Sequence, residues 1–120
     1  MCRKNEKQDY RAELEKKAKV HYYTMSDGVE VRALEFDLVE QPNDYILLLI
    51  PGYVTVFQSW EKVMSLLTPE FRVLYFETRE KASSNIPSRK LKRKITFDRM
   101  ALDLKEYLSL IHISEPTRPY

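Results

Sequence analysis

The sequence predicts an α/β fold: a β-hairpin, then a strand, a helix, a second strand parallel to the first, and a further long helix. Three observations carry this. Asp27-Gly28 sits between two β-rich runs; an apolar run closed by Pro51-Gly52 is followed by helical periodicity and a second apolar run; and a helical stripe starts near Thr96.

Residues 4–19 mix Lys, Arg, Glu and Asp with few apolar positions, the pattern of a charged, solvated leader in which Glu13 and Lys17 pair at i, i+4. Residues 21–25 and 31–39 are the two hairpin strands, joined by Ser26-Asp27-Gly28, a turn sequence. The second run alternates only in part, so the element is better defined than its register. Residues 45–50, after Pro42-Asn43-Asp44, read as a buried central strand.

Ser59 is placed to cap the following helix, whose inner face carries Trp60, Val63, Met64 and Leu67 before Thr68-Pro69 ends it. Residues 71–76 form the next strand. A right-handed crossover makes residues 45–50 and 71–76 parallel neighbours with the helix packed over them. The basic cluster Arg89, Lys90, Lys92, Arg93 and Lys94 reads as a solvent-facing loop. The last helix carries Phe97, Met100, Ala101, Leu104, Tyr107 and Leu108 as its stripe.

Composition narrows the functional classes. Across 120 residues, 43% are hydrophobic and 32% charged, which fits a globular chain. The net charge of +2, without aromatic interleaving in the basic clusters, argues against a dedicated nucleic-acid partner. The apolar run at 45–50 falls far short of the roughly 20 residues needed to span a bilayer, so no membrane partner is expected. One cysteine, Cys2, cannot form an internal disulfide, and the N-terminus lacks an apolar signal segment, so a cytoplasmic location is expected. Two distant histidines, His21 and His112, and scattered carboxylates give no metal-ligand spacing; no metal or cofactor is expected. A dinucleotide-binding reading fails because the turn after residues 45–50 has no Gly-x-Gly-x-x-Gly.

Three segments together resemble the N-terminal half of the α/β-hydrolases, over about residues 20–108: ILLLIPGY at 46–53 followed by Ser59-Trp60, FRVLYFETREKASS at 71–84, and ITFDRMALDLKEYL at 95–108. The first resembles the family's strand-to-loop motif, with Pro51 where histidine is common and Gly52 retained. The resemblance implies that the backbone N–H of Tyr53 donates to the oxyanion formed in acyl transfer, with Gly52 and Val54 in the pocket loop. The second resembles an Asp-x-Arg-Gly-x-Gly-x-Ser stretch, with Glu77, Arg79 and Ser84 matching and Glu80 and Ala82 replacing glycines. It implies a structural role for Arg79, and the third motif one for Asp103.

The family's catalytic serine lies in a Gly-x-Ser-x-Gly elbow, followed by an acid and a histidine. With two glycines in all, Gly28 and Gly52, this chain contains no such elbow, and neither histidine matches the triad position. No catalytic residue is therefore expected here. The fold needs roughly twice this length, and residues 109–120, SLIHISEPTRPY, resemble translated sequencing adapter. The expectation is thus an incomplete α/β-hydrolase-like sheet: a leader at 1–19, the hydrolase-like region at 20–108 and a non-native tail at 109–120. The chain alone is expected to be inactive and, with an unpaired apolar strand edge, to aggregate or stay partly unfolded. The intact parent is expected to hydrolyse an ester, amide or thioester of a small-molecule substrate through a serine nucleophile. The alternative is a noncatalytic hydrolase-like protein that binds a ligand or another protein. Substrate and oligomeric state are not legible.

Overall fold

The computed structural model describes residues 12–114, with side chains up to residue 111. Cys2, His112, Pro116 and Pro119 lie outside the described residues or side chains.

Four strands form one mixed sheet, β1 (Lys19–Thr24), β2 (Glu30–Phe36), β3 (Ile46–Leu49) and β4 (Arg72–Phe76), in the spatial order β1, β2, β4, β3. The hairpin is antiparallel, with Val20 opposite Leu34 and Tyr23 opposite Val31. Gly28 turns it with φ at 90°, a backbone region that glycine enters without a Cβ penalty. β2 pairs antiparallel with β4, and β3 pairs parallel with β4, Leu47 opposite Val73. The strand-helix-strand unit is therefore the expected parallel crossover, with α1 (Glu61–Leu67) between β3 and β4. The second hairpin strand ends at Phe36, three residues before the sequence pattern would end it.

The sheet buries a cluster on each face. Leu34, Phe36, Val73 and Tyr75 meet Phe57 and Met64 on the α1 side, with Leu47 and Leu49 packed against them. Phe57 stacks on Phe36 at 5.7 Å and meets Tyr75 edge-on at 5.1 Å. On the opposite face Val31, Ala33 and Phe76 meet Tyr107 of α3 (Phe97–Ser114), with Leu48 alongside. Tyr107 stacks on Phe76 at 4.5 Å and receives Tyr23 edge-on at 5.2 Å. Burying each such side chain contributes on the order of 1.5–3 kcal/mol, so these residues fix both helices on the sheet.

Several local expectations are corrected. The leader is not wholly solvated: Ala12 and Glu15 are buried, Leu14 packs on the core, and a 3₁₀ turn covers Glu15–Lys17. That turn, with three residues per turn, brings Glu13 to Lys16 at 3.1 Å instead of to Lys17. Ser59 does not cap α1, because it lies inside the 3₁₀ turn Phe57–Trp60 and its own N–H donates to the Val56 carbonyl at 3.0 Å. Val63 is exposed, leaving Met64 as the buried residue of α1. The basic cluster forms a short helix, α2 (Arg89–Arg93), capped by Ser88 Oγ accepting from the Leu91 N–H at 3.2 Å.

Two differences bear on function. β3, which reads as central from its apolar run, lies at the sheet edge among the described residues with Ile46 exposed, the unpaired apolar edge expected of an incomplete sheet. Helix α3 crosses Leu108 without a break and runs to Ser114. Leu110 and Ile111 pack against the Tyr107 cluster, whereas Phe97, Ala101 and Leu108 of the expected stripe are exposed.

Candidate functional site

Because β3 and β4 are parallel, their carboxyl ends emerge at the same edge of the sheet, where the crevices of open α/β sheets lie. There the loop after β3, carrying Gly52, Tyr53 and Val54, meets the loop after β4, carrying Glu77 to Ser84. Two charged side chains of the second loop bind backbone groups of the first. Lys81 Nζ donates to the Gly52 carbonyl at 3.0 Å, and Glu80 Oε2 accepts from the Val54 N–H at 2.9 Å. Thr55 closes the turn, its N–H and Oγ1 both reaching the Gly52 carbonyl, at 3.2 and 2.7 Å.

Glu80 and Lys81 form an ion pair, and Thr78 Oγ1 joins both, donating to Glu80 and accepting from Lys81 at 2.9 Å. The Glu80 and Lys81 side chains are only 4% and 5% exposed, so the pair is desolvated and every charged group in it needs a partner. Burial works against the Glu80 carboxylate, but hydrogen bonds from Lys81, Thr78 and the Val54 N–H outweigh it and hold its carboxyl below the ordinary range. The loop thus clamped is conformationally costly. Val54 has φ at 59°, the left-handed region that a β-branched residue rarely enters.

Between these clamps the Tyr53 N–H has no acceptor among the described residues. The Tyr53 side chain is exposed, its ring lying edge-on to Phe97 at 6.3 Å. Val54 is also exposed, and its N–H is committed to Glu80. Beside the loop is a cavity of about 280 Å³ lined by Arg32, Phe57, Glu77, Lys81 and Ser83, among others. Arg32 in its wall is paired to Glu15 at 3.1 Å and to Glu77. Burial lowers the tendency of Arg32 to hold its proton, yet Glu77 and Glu15 overcome this and raise its pKa. The same two carboxylates add to burial in pushing the Tyr75 phenol up; its hydroxyl has no partner among the described residues.

Behind the loops Arg79 is 1% exposed and anchors a network that ties three elements together. Its Nε and Nη2 donate to Asp103 of α3 at 2.5 and 2.7 Å. Its Nη1 and Nη2 donate to Asp27 in the hairpin turn at 2.8 and 3.1 Å. Two bidentate forks satisfy the planar guanidinium. Burial disfavours its charge, but the hydrogen bonds it donates to Asp27 and Asp103 win and raise the Arg79 pKa, while the Arg79 hydrogen bond lowers that of Asp27. Arg99 extends the network, 3.0 Å from Asp103 and 3.1 Å from Glu106, and Glu106 accepts from the Ser26 N–H at 2.7 Å. Ser84 Oγ donates to the Arg79 carbonyl at 2.6 Å, fixing the loop from inside.

The structure therefore gathers Gly52, Tyr53 and Val54 in one loop, and places Arg79 with Asp103 as a buried pair behind the loop after β4. Sequence reasoning missed Asp27, Glu80, Lys81 and Arg99. Asp27 carried only a turn signal, and Glu80 stood where the resemblance expects glycine. Among the described residues no group of histidine, cysteine and carboxylate side chains is arranged to hold a metal ion, and no helix is long and apolar enough to cross a membrane.

Compared with solved structures, the chain is similar to a hydrolase from Pseudomonas aeruginosa PA01, with a TM-score of 0.59 and 23% sequence identity. The fold is α/β and resembles that of the matched part of that protein. The match covers 78% of this chain and 32% of the other, so this chain spans about a third of that protein. At this identity the likeness is one of fold. No family model matches the chain, and no curated protein matches it.

Proposed function

We propose that this chain is the N-terminal part of a serine α/β-hydrolase, and that in the intact parent the Tyr53 N–H donates to the oxyanion formed when an ester, amide or thioester bond of a small-molecule substrate is attacked. The observation that carries the reading is the loop after β3. Glu80 and Lys81 hold the groups on either side of Tyr53, the Val54 N–H and the Gly52 carbonyl, while the Tyr53 N–H itself has no acceptor among the described residues. A donor fixed beforehand stabilises charge that appears only in the transition state, without reorganising during the reaction. Gly52 and Val54 shape that loop, and Arg79 with Asp103 anchors the loop after β4 from which Glu80 and Lys81 reach it. The nucleophile, acid and histidine come from the parent's remaining sequence, and the 120-residue chain alone is inactive.

The test begins by sequencing the source DNA downstream of the codon for Leu108 and expressing the continuous reading frame. A fluorophosphonate probe should label a serine in that protein and not in the 120-residue chain. Tyr53→Pro removes the N–H and should lower kcat by about 10²–10³-fold with KM little changed, whereas Tyr53→Phe should leave both unchanged. A stop codon at the end of this chain, or full activity in Tyr53→Pro, overturns the proposal.

A further inference from the structure

Residues 52–55 form a β-turn: the Thr55 N–H donates to the Gly52 carbonyl at 3.2 Å, and Tyr53 and Val54 are the two central residues. Among the described residues Val54 is the one non-glycine with a positive φ, at 59°. A positive φ at the second central position alone marks a type II turn, which favours glycine or asparagine there. Valine suits it poorly, because its branched Cβ crowds the left-handed region. A type I turn keeps the same Thr55 to Gly52 bond and sets both central residues at negative φ. The two forms differ by inversion of the middle peptide, the one between Tyr53 and Val54. The Tyr-Val sequence by itself favours type I, so a group outside the turn must favour type II.

We infer that Glu80 is a positioning residue that selects the type II form, with Lys81 completing the grip, so that the loop after β4 imposes the conformation of the Tyr53 donor on a turn whose own sequence disfavours it. The inference rests on the oxyanion role proposed for Tyr53. The middle peptide presents the Val54 N–H, which Glu80 Oε2 accepts at 2.9 Å. Inverting that peptide would set the Tyr53 carbonyl oxygen against a carboxylate whose side chain is only 4% exposed. Lys81 acts on the preceding peptide. Its Nζ donates at 3.0 Å to the Gly52 carbonyl, which belongs to the same trans peptide as the Tyr53 N–H and points opposite to it. The two other ammonium donors go to Thr78 and Glu80, so the orientation of Lys81 is fixed. Both peptides that flank Tyr53 are thereby gripped, and its N–H faces away from Lys81. All these groups lie between Gly52 and Lys81, so the grip does not depend on where the sheet ends. Misplacing such a donor by about 1 Å can cost on the order of 10²-fold in rate.

The test uses protein expressed from the continuous reading frame, or the 120-residue chain if that frame stops at its end. In a type II turn the Tyr53 α proton lies against the amide proton of residue 54 and gives a strong nuclear Overhauser effect, which is weak in a type I turn. The wild type should show the strong effect, Glu80→Ala should lose it, and Glu80→Ala with Val54→Gly should regain it, since glycine accepts a positive φ unaided. In the intact hydrolase Glu80→Ala should lower kcat by about 5–100-fold with KM little changed, and adding Val54→Gly should recover most of the loss. A residue that only stabilised the fold would not be rescued in this way. Circular dichroism and thermal melting verify folding. If Glu80→Ala unfolds because its lysine is stranded, Glu80→Ala with Lys81→Met, which leaves no unpaired charge, takes its place. A weak effect in the wild type, or a strong one that persists in the folded Glu80 variant, overturns the inference. So does a loss of kcat that the added glycine does not recover. Absence of hydrolysis, with the turn responding as expected, refutes the oxyanion role and supports the hold of Glu80 on the turn.

Discussion

Replacing Arg79 with alanine removes a guanidinium that makes four hydrogen bonds to two carboxylates and leaves Asp103 charged at 1% exposure. Breaking a buried pair by deleting one partner costs about 3–5 kcal/mol, because the remaining charge keeps its desolvation without its compensation. Two features place this case at the low end. Arg99 still lies 3.0 Å from Asp103, and Asp27, at 21% side-chain exposure, can be solvated. The expected loss is therefore about 3 kcal/mol, a large part of the roughly 5–15 kcal/mol that holds a whole domain. It should lower the melting temperature by about 12 °C or more. Urea unfolding followed by Trp60 fluorescence and by circular dichroism measures it. Arg79→Leu combined with Asp103→Leu, which removes both charges, should be less destabilised than Arg79→Leu alone. A loss below about 1 kcal/mol would show that the pair is worth no more than a surface ion pair, and the reasoning from burial would fail.

The other stability predictions concern acid and backbone strain. Asp27, Glu35 and Glu80 all have carboxyl pKa values lowered from 3.8, 4.5 and 4.5 in the folded chain, so their contribution is present above the unfolded values and lost as pH falls through the folded ones. The urea midpoint should accordingly change little through this contribution at neutral pH and fall below about pH 4.5; a midpoint that rises on acidification contradicts the assignment. Val54→Gly relieves the positive φ of an exposed side chain, worth about 1–3 kcal/mol against the roughly 0.5–1 kcal/mol entropic cost of glycine. The variant should be more stable by about 0.5–1 kcal/mol in urea titration, and a loss of stability would mean that the strain is not there to relieve.

The order of elements was readable because each has a local cause. Asp27-Gly28 turns the hairpin, the Ile46 to Leu49 run and the helical spacing of Trp60, Met64 and Leu67 build the crossover, and Pro69 ends the helix. Gly52, Tyr53, Arg79 and Asp103 were singled out through resemblance to a family. Boundaries were less legible. The 3₁₀ turns at Glu15–Lys17 and Phe57–Trp60 displaced an expected ion pair and an expected cap, and neither turn has a strong periodic signature. The expected stripe of α3 was right at Leu104 and Tyr107 and wrong at Phe97, Ala101 and Leu108, because several apolar residues on an amphipathic helix allow more than one stripe, and burial against Phe76 selects among them.

What the sequence by itself determined is what neighbouring residues enforce: the α/β class, the hairpin, the parallel strand-helix-strand unit and the sharp turn at Gly52. The tertiary structure alone decided which charges meet. Arg79 finds Asp27 from 52 residues away, and Glu80 reaches the Val54 N–H from 26 residues away. Nothing in the local pattern encodes either partner; buried charges take whatever opposite charge or backbone group the folded sheet brings within hydrogen-bonding distance. The apolar pattern of β3 likewise says that the strand seeks burial, but its place at the edge depends on the strands that pair with β4.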